Sequence, residues 1–516
     1  MDAFYKTLNT YRAQGDGQSV EQMLQVWRSA TDPEEKDDLN REIGDAFQHA
    51  ISTGDESGAR MMLDAGIDPT TQGSVDPHFT PLLTAARYGR RELARRLWEM
   101  VGPDGRFQPS RNHPYGGSPS CLVVAARNGH AEMVADFLGM WDGWWSSEKR
   151  EALVDAAGAW CDDVVALLLA RIPYEADIVR EALDGAVGKM SIPNEAFPSR
   201  RPGKLLPDNG PRQYRLVCRL IDSGANPNWN LGSTLPIHTA TSLFPQMGSF
   251  RALLEKGANP GLQDKDGKTA LHIITGYLPE SKDALLMLVD RGASLETPDV
   301  DGVTPRHLLA YSGTLEIFLL CLERCSNNAE NVIRSLTRYG ESLLHYAAAG
   351  GKEDIVGFLL DRGLDVNMAS LNRWTPLLCA LVPGQNGRAI APRVVRLLLQ
   401  RGASAQVVTN EGWTPLHALA TSPNLDGAGQ LAEELIALGT SVDAEASVLG
   451  LPRINNAYGL YDVWGYRMHR LLADASLTQQ NPQLSSNGKT PLAWATRTGA
   501  TAIVDILTKH FASRQQ

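Results

Sequence analysis

The chain has 516 residues, 43% of them hydrophobic and 21% charged, a balance that supports a sizeable core and excludes a largely disordered chain. Forty-nine Lys and Arg against fifty-nine Asp and Glu leave a net charge of −10, and the one dense basic run, Ser199-Arg200-Arg201-Pro202-Gly203-Lys204, is short, so nucleic acid is not the expected ligand. Six cysteines without paired close spacing describe neither a disulfide framework nor a zinc site, and no apolar run reaches the length of a membrane span.

In chain order, residues 1–40 carry Phe4, Leu8 and Tyr11, then Met23, Leu24 and Trp27, at helical spacing, which predicts two helices that cap the end of a stack. The opening Met1-Asp2-Ala3-Phe4-Tyr5-Lys6 has neither the basic nor the apolar segment of a secretory signal, so the expected setting is cytoplasmic, with the nucleus as the alternative. Residues 41–228 keep a helical pattern near 42–70, 77–101, 117–140, 147–172 and 175–228, interrupted by Gly- and Pro-containing insertions at 102–117 and 189–212. From 229 to 443 the pattern sharpens into clear repeats. Residues 444–486 are an aromatic-rich insertion, with a helix predicted around Leu460 to Ala473, and 487–516 hold a last repeat and a polar tail.

The repeats turn on one motif. Thr414-Pro415-Leu416-His417-Ala418-Leu419-Ala420 has relatives at Thr80-Pro81-Leu82-Leu83, Leu235-Pro236-Ile237-His238, Thr269-Ala270-Leu271-His272, Thr304-Pro305-Arg306-His307, Ser342-Leu343-Leu344-His345, Thr375-Pro376-Leu377-Leu378 and Thr490-Pro491-Leu492-Ala493. Closing glycines follow apolar pairs such as Leu253-Leu254, Leu359-Leu360 and Leu398-Leu399: Gly224, Gly257 and Gly292 lie 33 and 35 residues apart, and Gly363, Gly402 and Gly439 lie 39 and 37 apart. The Thr caps a first helix, Pro next to it has no amide to lose, and Gly supplies a left-handed C-cap. One such unit cannot bury its own apolar face, so neighbours must stack. These residues resemble the ankyrin repeat family. The resemblance implies an all-α fold, a solenoid of about twelve helix–turn–helix units with short hairpin fingers, a helical N-terminal cap and loop insertions.

For His238, His272, His307, His345 and His417 the resemblance implies a backbone hydrogen bond between neighbouring units rather than catalysis. No nucleophile elbow, P-loop, dinucleotide fingerprint or zinc-protease motif occurs, so no catalytic residue is assigned and no metal or cofactor is expected. Aligned units place Trp374 and Trp413 at one position between finger and first helix, and Tyr346 and Trp494 on the inward surface of first helices. Such a row is costly to leave wet without purpose, so it is expected to line a concave binding groove; the alternative is that insertions cover the rings and they are core. Arg373 and Glu411 are candidate polar partners, and the insertion brings Tyr458, Tyr461, Asp462, Trp464, Tyr466 and His469 towards the same end. A second candidate cluster, Trp141, Trp144 and Trp145, is either an exposed binding tip or a plug against the 102–117 loop. The function expected from these features is a non-catalytic scaffold that holds a partner protein or peptide in an aromatic-lined groove, with no nucleic acid or membrane involved. The alternative is an unusual enzyme or small-molecule binder whose insertions close the groove into a pocket.

Overall fold

The computed structural model describes residues 2–15, 17–71, 80–106, 120–187, 210–229, 235–242, 247–275, 281–325, 333–382, 390–422, 425–446 and 490–514. These are mostly helical, with no strand among the described residues beyond an isolated bridge between Leu336 and Ser342. The chain divides into two compact units, Met1–Trp229 with Gln246–Ala258, and Asn230–Pro245 with Asn259–Gln516.

In the first unit, helices Asp2–Gln14 and Gly17–Ser29 bury Phe4, Leu8, Tyr11, Met23 and Leu24. The Tyr11 hydroxyl donates to Asp55 at 2.7 Å, and Asp55 caps the next helix by accepting from the Gly58 amide at 2.8 Å. First helices then pack in chain order: Pro33–Thr53, Pro81–Tyr88, Cys121–Arg127, Ser146–Gly158 and Ala176–Val187. Four of them turn into their second helices through a left-handed residue, Gly54, Gly89, Gly129 or Trp160, at φ 89°, 72°, 80° and 59°. The residue after each of the last three turns reaches back to the previous repeat. Arg90 donates to the Ile51 and Ser52 carbonyls, both at 2.9 Å, His130 Nε2 to that of Arg87 at 3.0 Å, and Cys161 Sγ to that of Arg127 at 3.8 Å. Carbonyls left unpaired at helix C-termini are thereby satisfied across repeats. Ion pairs add to these links, with Asp136 receiving Arg91 at 2.5 Å and Arg95 at 2.7 Å.

In the second unit, the motif opens the first helices Ala270–Ile274, Pro305–Ser312, Leu343–Ala349, Pro376–Ala380, Pro415–Leu419 and Pro491–Thr498. The amides of Thr269, Thr304, Ser342 and Thr414 donate to Nδ1 of His272, His307, His345 and His417 at 2.9, 3.2, 3.0 and 3.2 Å. With Nδ1 accepting, the ring proton sits on Nε2. That nitrogen donates across repeats: His238 to the Leu262 carbonyl at 3.1 Å, His272 to Val303 at 3.0 Å, His345 to Trp374 at 3.1 Å. For His238, His272 and His345 this is the bond between neighbouring units that the resemblance implies. Burial keeps them neutral, lowering the pKa to about 4 for His272 and His345 and about 3 for His307.

Candidate functional site

Among the described residues of the second unit, the chain folds into a tight finger ahead of five first helices, those that begin at Ala270, Pro305, Leu343, Pro376 and Pro415. Five described fingers share one construction, opened by Asp264, Asp299, Thr337, Ser370 or Thr409. Asp264 accepts from the amides of Asp266 and Lys268 at 2.9 and 2.8 Å, and Asp299 from those of Asp301 and Val303 at 3.0 and 2.9 Å. Thr337, Ser370 and Thr409 do the same with hydroxyls, accepting from Glu341, Trp374 and Trp413 at 3.2, 3.1 and 3.0 Å. The tips are strapped together by backbone bonds: Val300 to Asp266 at 3.1 Å, Arg338 to Asp301 at 2.8 Å, Leu371 to Tyr339 at 2.8 Å and Asn410 to Asn372 at 3.2 Å.

This register gives every finger an outward and an inward residue. The outward ones, Lys265, Val300, Arg338, Leu371 and Asn410, are all exposed, Val300 at 47% and Leu371 at 69%. The inward ones, Asp266, Asp301, Tyr339, Asn372 and Glu411, are half-buried or buried, and the Tyr339 hydroxyl donates to Asp301 at 3.1 Å. The next place requires a left-handed backbone. Four fingers put Gly267, Gly302, Gly340 and Gly412 there, at φ 76°, 76°, 77° and 86°; the fifth puts Arg373, at φ 62°. A non-glycine residue in this region costs roughly 1 kcal/mol or more. The exposed Arg373 guanidinium makes no hydrogen bond or ion pair among the described residues that would offset the strain.

The predicted aromatic row is assembled, with its rings turned into the packing. The Trp374 and Trp413 rings lie 6.4 Å apart, and Trp494 lies 5.3 Å from Trp413. Trp374 is 5% exposed, and Trp413, Trp494 and Tyr346 are buried. Tyr346 packs its ring 5.1 Å from that of His307, next to Glu341, which occupies the place of Trp374 and Trp413 in its own finger. Burial pushes the Glu341 carboxyl up to about 7; the Tyr346 and Thr337 hydroxyls partly oppose the rise, and the Asp301 carboxylate adds to it. Tyr458, Tyr461, Asp462, Trp464, Tyr466 and His469 lie outside the described residues, as do 107–117 and 189–209 of the earlier insertions.

The second cluster divides. Trp144 is buried, its indole N–H donating to the Phe137 carbonyl at 3.1 Å and its ring 5.5 Å from Trp98 and 5.1 Å from Trp141. Trp145 is 58% exposed at the start of helix Ser146–Gly158, with its amide donating to Glu148 at 2.8 Å. The outward residues Lys265, Val300, Arg338 and Leu371 were not legible as a set, because their grouping depends on tip-to-tip bonds. One signal was available: Arg373 aligns with a glycine in four sister fingers.

Comparison with known proteins finds ankyrin repeats in part of the chain. Residues 280–370 match the family model described as Ankyrin repeats (3 copies). The chain is similar to Ankyrin repeat and SOCS box protein 16 of Homo sapiens, 32% identical over 218 residues, covering 40% of this chain and 45% of that protein. It is similar to the B-cell lymphoma 3 protein homolog of Mus musculus, 31% identical over 192 residues, covering 36% of this chain and 40% of that protein. Ankyrin repeat and SOCS box protein 3 of Homo sapiens is 35% identical over 172 residues, covering 28% and 32%. The chain carries ankyrin repeats, and it spans less than half the length of these three relatives. No helix among the described residues is long and apolar enough to cross a membrane.

Proposed function

We propose that the chain is a protein-binding scaffold whose contact face is the finger row from Asp264 to Trp413. Ankyrin repeats generally mediate protein–protein interaction. The observation that carries the assignment to this face is the exposure of Val300 and Leu371 on fingers whose backbones are fixed by side-chain and tip-to-tip hydrogen bonds. Apolar side chains on a rigid frame lose little entropy when a partner covers them. Behind the row, Trp374, Trp413 and Trp494 act as a buried aromatic backing that keeps successive repeats in register, with Arg373 and Glu411 as polar edges of the same fingers. The immobilised full chain should retain a protein from an extract of its native host. Leu371→Asp should weaken that complex about tenfold or more, with the melting temperature unchanged. Retention of no protein, or undiminished affinity in Leu371→Asp combined with Val300→Asp, would sink this reading.

A further inference from the structure

Resting on that scaffold reading, we propose that the finger row docks an acidic segment of the partner protein in which carboxylates alternate with apolar residues, and that Arg373 holds its left-handed conformation for this contact. The outward places run Lys265, Val300, Arg338, Leu371, Asn410, with Arg373 beside Leu371: cation, apolar, cation, apolar with cation, amide. No acid stands at an outward place; Asp266, Asp301 and Glu411 of the same fingers stand at inward ones. Elsewhere in this unit several exposed cations are matched across repeats, Lys282 with Glu316 at 2.6 Å, Arg324 with Asp290 at 2.5 Å and Arg401 with Asp361 at 2.7 Å, while Arg334, Arg393 and Lys509 form no ion pair among the described residues but do not share a fingertip edge. Lys265, Arg338 and Arg373 form no ion pair among the described residues. In a chain of net charge −10, three unmatched cations along one strapped edge mark where opposite charge comes from outside.

Arg373 supplies an independent observation. Glycine fills its place in four sister fingers without strain, and nothing inside the described residues rewards the arginine. Uncompensated strain at an exposed position points to a role in binding. The interleaved Val300 and Leu371 favour a polypeptide over a phosphate backbone or a lipid headgroup, which offers carboxylate-like charge without apolar spacers. Neighbouring helix pairs repeat at roughly 10 Å, and an extended chain advances about 3.3 Å per residue, so about every third partner residue faces a finger.

The probe is therefore a fluorescein-labelled peptide of Ser with Glu and Leu alternating at every third place, titrated into the full chain by anisotropy. Binding is expected, and Arg338→Glu and Arg373→Glu should each weaken it about tenfold, with the loss shrinking at high salt. Arg373→Gly should weaken binding while raising the melting temperature, a pair of changes that a purely structural arginine would not produce. Absence of peptide binding, or equal affinity for the same peptide with Lys in place of Glu, would overturn the proposal. So would equally tight binding of single-stranded oligo-dT or of phosphatidylserine vesicles, which would move the site to phosphate. Should a captured host protein still bind Arg338→Glu and Arg373→Glu with full affinity, this inference falls and the scaffold reading stands; capture of no protein removes the scaffold reading whatever the peptide does.

Discussion

The two units link their helix pairs by different chemistry. Between Pro33 and Arg171, the reach from one repeat to the last is made by Arg90, His130 and Cys161, and by charge pairs such as Asp136 with Arg91 and Arg95. From Ala270 onward neutral, buried histidines and strapped fingers are added to such charge pairs, of which Lys282 with Glu316 and Arg401 with Asp361 are examples. A link made of exposed charge answers to salt, and a link made of buried imidazole answers to acid. The difference teaches that stacking is specified by apolar faces, whereas the polar links decide which conditions loosen which unit.

The most severe test removes the aromatic backing. Trp413→Ala deletes a fully buried indole packed between Trp374 and Trp494, and should cost about 3–5 kcal/mol in urea denaturation. Hydrogen exchange should show the loss in helices Leu343–Ala349, Pro376–Ala380 and Pro415–Leu419, with protection in Pro81–Arg171 kept. Equal loss in both units would break the comparison.

Acid is the next largest effect. His272 and His345 titrate near 4 in the folded chain against about 6.5 unfolded, so their stabilisation is complete above pH 6.5 and is lost as pH falls towards 4. Each should contribute about 2–3 kcal/mol to that loss. Glu341 works in the opposite direction. Its pKa is raised to about 7, so its favourable state holds below pH 4.5 and is lost as pH rises through 7. In the first unit, the Arg91 and Arg95 pairs lower Asp136 to about 2, so that contribution persists until pH falls below 4. Hydrogen exchange at pH 5 should therefore find the second unit opening before the first, and Glu341→Gln should raise the second unit's stability at pH 8. First-unit opening at pH 5 ahead of the second would contradict the assignment of these links.

Much of the fold was legible because its signals are local. The Thr or Ser cap, the His three residues later and the left-handed Gly are contacts within one turn, so spelling alone exposes them at Thr414, His417 and Gly402. The site was legible in part. Alignment correctly brought Trp374 and Trp413 side by side, but ring exposure depends on what packs around them, which is not a property of the repeat. The adjacent Trp144 and Trp145 make the same point, since one is buried against Trp98 and the other stands 58% exposed. Fingertip order needed the strap that sets Val300 beside Asp266 and Leu371 beside Tyr339.

A smaller effect separates the units by salt. Asp136→Asn removes the shared acceptor of Arg91 and Arg95 and should destabilise the first unit by under about 1 kcal/mol at low ionic strength. In high salt the variant and parent should converge in urea midpoint, while the substitution leaves the second unit's midpoint unmoved at either ionic strength. A salt-independent difference would assign Asp136 to packing rather than to charge.

The smallest expected effect sharpens the comparison most, because each unit places one large residue where its sister repeats use glycine. Trp160 turns at φ 59° in the first unit and Arg373 at φ 62° in the second. Trp160 is half-buried, and its indole N–H donates to the Ala186 carbonyl of the next repeat at 2.9 Å. That bond and the half-buried ring offset the strain, so Trp160→Gly should lower stability despite relaxing the backbone. Arg373 has no such return, and Arg373→Gly should raise the second unit's stability by about 0.5–1 kcal/mol, the extra freedom of glycine in the unfolded chain taking back part of the relieved strain. Urea midpoints of the two variants should therefore shift in opposite directions. A loss of stability in Arg373→Gly would mean that the arginine packs usefully within the fold, and its unmatched charge would no longer single it out as a contact for something else.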